Sequence, residues 1–294
     1  KKEAHVVYAL APGEYILHEE QAPTEQGYVR AEDVKFVVEE TGDVQKVKME
    51  DDHTKVSISK TDITDGKEIE GAKLQILDQD GEVVESWTTG EEHLIEYLPV
   101  GTYTLHEEAA VDGYIVANDV EFTVEETGEI QKVKMEDERA MGQLVIVKTD
   151  TDSKAALEGV EFVLLEKETG KEVGRLKTGK DGKAVSELLP IGTYENGVFK
   201  EPITYVLKET ATLKGYEKTE EEWEIVFTYQ NDKTPVIEVV KEIQNKKIPE
   251  TPGTVKPGPK TGDDTNWFLP LLALGVSAGM VAGLLYYRKR HKKA

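Results

Sequence analysis

A sequence repeat organises most of this chain. The segment DVKFVVEETGDVQKVKMED at residues 33–51 recurs as DVEFTVEETGEIQKVKMED at residues 119–137, with 15 of 19 positions identical. Upstream of these segments, YILHEE at 15–20 matches YTLHEE at 103–108. Repetition on this scale is typical of chains built from similar structural modules. Because the first copy contains only the second half of the repeat, we expect the chain to be part of a longer protein.

A third, more divergent copy follows. VSISKTD at 56–62 returns as LVIVKTD at 144–150, and YTLHEE at 103–108 returns as YVLKET at 205–210. The third copy is longer than the second because it carries an insertion near residues 195–202. We therefore predict three modules: a half-module at 1–52, a second module at 53–138 and a third module at 139–247.

Short stretches with a period of two residues fill each repeat. In the second module Val56 and Ile58 alternate with serines, and turn dipeptides such as Asp80-Gly81 separate the stretches. This pattern, with no helical period, predicts an all-β fold of tandem antiparallel β-sandwiches. The acidic residues at 78–81 do not have the spacing of an EF-hand loop, so we interpret them as a hairpin turn. We expect no metal and no cofactor.

The acidic composition argues against one class of partner, and the absence of cysteine leaves open how the modules are stabilised. The net charge is −22, with no basic patch in the modules, which argues against nucleic acid as a partner because its phosphates would be repelled. The chain contains no cysteine. Small exported domains usually need a covalent or metal cross-link for stability, so these modules need something other than disulfides.

The C-terminal segment predicts a membrane anchor. Residues 248–265 are rich in proline and predict an extended linker. The 21 residues from Trp267 to Tyr287 carry no charge, and as a helix they would span roughly 31 Å, enough to cross a bilayer. We predict a transmembrane helix at 266–287. The basic tail at 288–294 should be cytoplasmic by the positive-inside rule, which places the modules outside the cell.

A short motif precedes this apolar segment. Pro259, Lys260, Thr261 and Gly262 form a Pro-x-Thr-Gly sequence, and together with the apolar span and the basic tail they resemble the sorting signal of Gram-positive surface proteins. The resemblance implies that a sortase cleaves between Thr261 and Gly262. It would then join Thr261 to an amine of the peptidoglycan cross-bridge or of a pilin subunit. Gly258 stands where the commonest form has leucine, which leaves the sortase class open. The alternative is a plain one-pass membrane anchor.

The apolar faces of three strands in each complete module end in a charged or amide residue. Because side chains alternate along a strand, Lys60 lies on the same face as Val56 and Ile58. In the same way, five other charged or amide residues lie on the apolar faces of their strands. The full set is Lys60, Glu107 and Asp137 in the second module, and Lys148, Glu209 and Asn245 in the third. For any one of them the ordinary interpretation is a strand end that meets water. Because three strands end in this way in both modules, we favour the interpretation that the three residues of each module meet at the edge of its core.

These motifs resemble those of SpaA-like domains, also called collagen-adhesin B-type domains, which have a prealbumin-like fold. The matching elements are the first-strand Lys-Thr-Asp, the Tyr-x-Leu-x-Glu box at 103–107 and 205–209, and the acceptor on the last strand. The resemblance implies spontaneous isopeptide bonds, Lys60 to Asp137 and Lys148 to Asn245, with Glu107 and Glu209 as the catalytic acids. Asn231 is a second candidate acceptor, but it opens a turn sequence. The first 52 residues contain Glu19 and Asp51 without a partner lysine, so we expect no bond there.

The leading functional hypothesis is a cell-wall-anchored stalk or pilin subunit, and not an enzyme. It would be anchored transiently in the membrane and then attached to the wall at the cell surface by sortase. The first alternative is an adhesin that binds a host or extracellular ligand, either through a missing N-terminal domain or through loops such as 195–202. The second alternative is a surface enzyme whose catalytic domain is missing.

Overall fold

The computed structural model describes residues 4–249, and their regular structure is almost entirely β-strand. The predicted fold class, all-β with sandwich repeats, is confirmed for this part of the chain. Residues 4–249 include no helix with the length and apolar character needed to cross a membrane. The predicted transmembrane helix at 266–287, the tail at 288–294 and nearly all of the linker at 248–265 lie outside the described residues.

The first repeat forms two small pairs of strands. The 3-10 turn Thr24–Gln26 follows the first strand and precedes the second. The pairs are both antiparallel: β1 (Gly13–Leu17) with β3 (Val34–Val38), and β2 (Tyr28–Val29) with β4 (Asp52–His53). Among residues 4–52 the apolar side chains that are fully buried are Ala22 and Val29. This segment therefore has little core of its own.

The second module consists of two four-stranded sheets. Its strands are β5 (Lys55–Asp62), β6 (Lys73–Leu77), β7 (Val83–Thr88), β8 (His93–Glu96), β9 (Gly101–Ala109), β10 (Tyr114–Ile115), β11 (Val120–Val124) and β12 (Ile130–Arg139). One sheet has the order β10-β12-β5-β8 and the other β11-β9-β6-β7. Apolar side chains of both sheets, among them Ile58, Leu105 and Met135, form one buried core.

The third module repeats this arrangement and contains the larger core. Its strands are β13 (Met141–Asp150), β14 (Glu161–Glu166), β15 (Glu172–Lys177), β16 (Lys183–Val185), β17 (Leu189–Pro190), β18 (Gly192–Glu195), β19 (Val198–Pro202), β20 (Thr204–Ala211), β21 (Glu222–Val226) and β22 (Val236–Asn245). One sheet places β13 between β16 and β17 and pairs it with β22, and the other has the order β15-β14-β20-β21. The β18–β19 hairpin is the predicted insertion.

Within the antiparallel sheets, the first and last strands of each complete module pair in parallel. In the second module β5 runs beside β12, with Lys60 opposite Met135. In the third module β13 runs beside β22, with Lys148 opposite Ile243. Successive side chains of a strand alternate between the two faces, so the residue two positions beyond Met135 or Ile243 returns to the face of the lysine. The two modules therefore present the same register at the same edge of the core.

The insertion hairpin of the third module packs against the second module. The Tyr194 hydroxyl donates to the carbonyl of Gly113 at 2.8 Å, and the Arg139 guanidinium lies 4.1 Å from the centre of the Tyr194 ring. Gly113 has φ +88°, and a Cβ there would lie 2.8 Å from atoms of Tyr194 and Phe199. This position therefore requires glycine for both its backbone conformation and the close contact. The inserted residues thus form part of the joint between the modules.

Candidate functional site

The second module buries a lysine among two carboxyl groups. Because β5 alternates strictly, Lys60 follows Val56 and Ile58 into the core, and its side chain is 1% exposed. Its Nζ donates to Oδ1 of Asp137 and lies 3.0 Å from Oε2 of Glu107. Glu107 Oε2 also accepts a hydrogen bond from the backbone N–H of Ala117, at 2.6 Å, which holds the carboxyl group against the lysine.

The two carboxyl groups are short of hydrogen-bond donors. Among the described residues, Glu107 Oε1 and Asp137 Oδ2 are buried and have no hydrogen-bond partner. Burial raises the pKa of Asp137 to about 7; the Lys60 ammonium opposes this rise, and the Glu107 carboxylate adds to it. A proton on Asp137 would satisfy an oxygen that otherwise has no partner. The site thus greatly increases the share of the neutral carboxyl group, the form that can release water, compared with an exposed aspartate.

The third module contains the same arrangement with an amide as the last member. Lys148 and Glu209 have fully buried side chains, and Lys148 Nζ lies 2.9 Å from Glu209 Oε2. The same Nζ donates to Oδ1 of Asn245 at 2.5 Å. Burial lowers the pKa of Lys148, and the hydrogen bond and charge of Glu209 only partly offset this effect. A lowered pKa increases the share of the neutral amine, which is the nucleophilic form.

Glu209 contacts both the amine and the amide nitrogen that it faces. Its Oε2 lies beside Lys148 Nζ, while its Oε1 accepts a hydrogen bond from Asn245 Nδ2 at 2.7 Å. A carboxyl group in this position can receive a proton from one nitrogen and deliver a proton to the other. The second donor of the Asn245 amide goes to the hydroxyl oxygen of Thr212, also at 2.7 Å.

The structure brings together all six module residues that the sequence singled out, three in each core. Asn231, the second candidate acceptor, is exposed in a turn, where its Oδ1 accepts from the backbone of Lys233. In the first repeat, Glu19 accepts from the Ala31 N–H at 2.8 Å, whereas Asp51 is exposed. The four residues of the sorting motif, Pro259 to Gly262, lie outside the described residues.

Sequence reasoning missed a buried aspartate close to the second-module site. Asp62, two positions after Lys60, is fully buried and accepts hydrogen bonds from the Tyr114 hydroxyl at 2.8 Å and from Arg139 Nε at 2.6 Å. Burial alone would raise the pKa of Asp62, but its hydrogen bonds and the Arg139 charge hold it below its usual value. The aspartate recurs in both Lys-Thr-Asp motifs, and this repetition could have indicated that it has a structural role.

Comparison with known domains identifies the modules. Residues 54–139 and 142–202, together half of the chain, match the SpaA prealbumin-like fold domain. No curated protein matches the chain in sequence.

Several solved structures resemble the chain over much of its length. The Bacillus anthracis TIE protein is 30% identical, with 81% of this chain and 42% of that chain covered and a TM-score of 0.49. The streptococcal ancillary pilin is 19% identical over 82% of this chain and 77% of its own, with a TM-score of 0.30. The minor pilin GBS52 of Streptococcus agalactiae is 20% identical over 69% of this chain and 100% of its own, with a TM-score of 0.29. The chain thus spans less than half the length of the Bacillus anthracis structure.

Proposed function

Because the chain belongs to the SpaA family of prealbumin-like fold domains, we propose that it is a structural subunit of a Gram-positive cell surface, a stalk or pilin segment. In this proposal an internal isopeptide bond cross-links each complete module, Lys60 to Asp137 and Lys148 to Asn245. The observation that carries the proposal is the burial of a lysine, a glutamate and a carboxyl or amide acceptor in contact, twice in one chain. A buried ion pair is a weak source of stability, whereas a covalent bond at the same place is a strong one.

The reaction requires only groups that are present in each core. In the second module, the neutral amine of Lys60 attacks Cγ of the protonated Asp137, and a C–N bond forms as the C–OH bond breaks. The proton released from Nζ passes through Glu107 to the departing hydroxyl, so that one water leaves. In the third module the leaving group is the amide nitrogen of Asn245, so that one ammonia leaves. Burial favours the neutral forms of Asp137 and Lys148.

Such bonds would carry tension along the chain. The first and last strands of each module are parallel, and the lysine and its acceptor lie near the C-terminal ends of these strands. Tension that enters at the start of β5 would pass from Lys60 to Asp137 and continue directly into β13. The bonded positions are 77 apart in the chain, and the residues between them would bear little of it. In the loop-entropy treatment used for disulfides, closing a loop of this length contributes roughly 4–5 kcal/mol.

Attachment is the second part of the proposal. The Pro259–Gly262 motif supports a sortase as partner, which would transfer Thr261 to a peptidoglycan or pilin-subunit amine after the apolar segment has held the chain at the membrane. The insertion at 195–202 was a candidate ligand-binding loop. Tyr194, on the hairpin that contains this insertion, contacts Gly113 and Arg139, which supports a structural role at the joint instead.

Peptide mapping of the full chain tests the cross-links. After denaturation and proteolysis, mass spectrometry should detect the peptide containing Lys60 joined to that containing Asp137, with the loss of one water. It should also detect Lys148 joined to Asn245, with the loss of one ammonia. If the four peptides are recovered separately with unmodified masses, the proposal is wrong. A link from Lys148 to Asn231 would show that the acceptor is misassigned.

A further inference from the structure

The two cores differ at one position beside the acceptor. The segments from the Tyr-x-Leu-x-Glu box to the following Gly-Tyr align without gaps, which places Ala110 of the second module opposite Thr212 of the third. Thr212 Oγ1 accepts a hydrogen bond from Asn245 Nδ2 at 2.7 Å. The module with an aspartate acceptor therefore has a methyl group at this position, and the module with an asparagine acceptor has a hydroxyl group.

A primary amide needs this hydroxyl group for its orientation. Asn245 can present either its oxygen or its nitrogen to the lysine, and only the first orientation lets Lys148 Nζ donate to Oδ1 while the leaving nitrogen faces away. The two N–H groups then need two acceptors. Glu209 Oε1 supplies one and Thr212 Oγ1 the other. With both acceptors present, the reversed orientation of the amide is unfavourable. It would place Nδ2 against the Lys148 amine and Oδ1 against the Glu209 carboxyl group.

We propose that Thr212 is a positioning residue that adapts the third module to an amide acceptor. This inference rests on the proposed isopeptide function. In the reaction, Lys148 Nζ forms a bond to Cγ of Asn245, and the bond from Cγ to Nδ2 breaks. One proton moves from Nζ through Glu209 to Nδ2, and ammonia departs. Thr212 is not consumed; it holds Nδ2 on the side of Glu209 from which ammonia leaves. In the second module the leaving hydroxyl of Asp137 makes no such demand, and Ala110 is sufficient.

Substitutions of Thr212 test the role of its hydroxyl group. The full chain is produced by cell-free synthesis, samples are denatured at intervals, and the cross-linked Lys148–Asn245 peptide is quantified. Thr212→Val removes the hydroxyl group with little change of shape, and should slow bond formation about tenfold, the factor that corresponds to one net hydrogen bond. Thr212→Ser keeps the hydroxyl group and should react at close to the wild-type rate. Thr210→Ala, at an exposed neighbouring threonine, is the matched control and should have no effect.

A second pair of variants separates positioning from a general effect on folding. In an Asn245→Asp background the acceptor no longer has an amide to orient, so adding Thr212→Val should cause no slowing. The Lys60–Asp137 bond in the same chains serves as an internal reference. The inference is overturned if Thr212→Val reacts at the wild-type rate, or if it slows bond formation equally with and without the Asn245→Asp substitution. If the wild-type chain forms no bond at all, the proposed function fails as well, which is a different result from a slow variant beside a normal wild type.

Discussion

The Nζ atom of Lys148 lies 2.5 Å from Oδ1 of Asn245, although the two residues are 97 positions apart in the chain. The parallel pairing of β13 with β22 places Ile243 directly opposite Lys148, and Asn245 is the next residue of that strand on the same face. In the second module the same step leads from Met135 to Asp137. One register therefore positions both pairs, so each module can serve as a control for the other.

Glu107→Ala should abolish the Lys60–Asp137 bond and leave the Lys148–Asn245 bond intact. Glu107 is the group beside the lysine that can move the proton, and Glu209 does the same in the other core. Peptide mapping should show the second-module peptides separate, with the mass of one water regained. Loss of the cross-link should lower the free energy of unfolding of this module by roughly 4 kcal/mol, measured by denaturant titration. Glu108→Ala, at the exposed neighbouring position, is the control; equal effects of the two substitutions would contradict a catalytic role.

The two bonds should respond differently to pH. In the third module Asn245 does not titrate, so the rate should follow the neutral fraction of Lys148, whose pKa is lowered by burial. Below that pKa, each rise of one pH unit increases this fraction about tenfold. In the second module Asp137 loses its proton above a pKa of about 7. A carboxylate cannot release water, so above that pKa the reactive form of Asp137 becomes scarcer as the pH rises.

Time courses of cell-free synthesis across neutral and mildly alkaline pH measure this difference. The rate of Lys148–Asn245 formation should continue to rise above pH 7, while the rate of Lys60–Asp137 formation levels off near the pKa of Asp137. Replacing the acceptor by Asn245→Asp should make the third module level off in the same way. Parallel rate profiles for the two wild-type bonds would contradict the assigned acceptor chemistry.

Hydrogen exchange should distinguish two identical peptides. The heptapeptide QKVKMED occurs at 45–51 and at 131–137, and only the second copy lies in a strand. Its amides that bond to β5 should therefore exchange slowly, whereas those of the first copy should exchange rapidly. Val44 and Ile130, the residues just before each copy, differ, so the two fragments can be separated by mass. Equal protection would mean that the first copy has found a partner strand.

Thr261→Ala should leave the protein in the membrane fraction. If sortase cleaves after Thr261, the wild-type protein should be released by wall-degrading enzymes and end in Thr261 linked to an amine. The variant should retain its apolar segment. Thr265→Ala, four residues further on and outside the motif, should behave like the wild type. Recovery of wild-type chains that still contain Trp267 to Ala294 from mature cells would favour the plain membrane anchor.

The sequence alone determined the fold class and the candidate residues of each site. Both depend on a period of two residues, which is a local property: Lys60 shares a face with Val56 and Ile58 in any extended strand. Because the motif of Lys60 recurs in the third module, the same pattern predicts that Lys148 lies on an apolar face. The fold class is confirmed. The module boundaries, the isopeptide bonds and the sorting signal stay predictions.

Only the tertiary structure decided which segments pair. Three contacts join residues that are distant in sequence or belong to different modules. They are the parallel pairing of first and last strands, the hydrogen bond from Asn245 to Thr212, and the packing of the insertion hairpin against Gly113. The two copies of QKVKMED show why. A strand obtains its hydrogen bonds from a neighbouring strand, so the same seven residues form β12 beside β5 and remain irregular where the described residues offer no such neighbour.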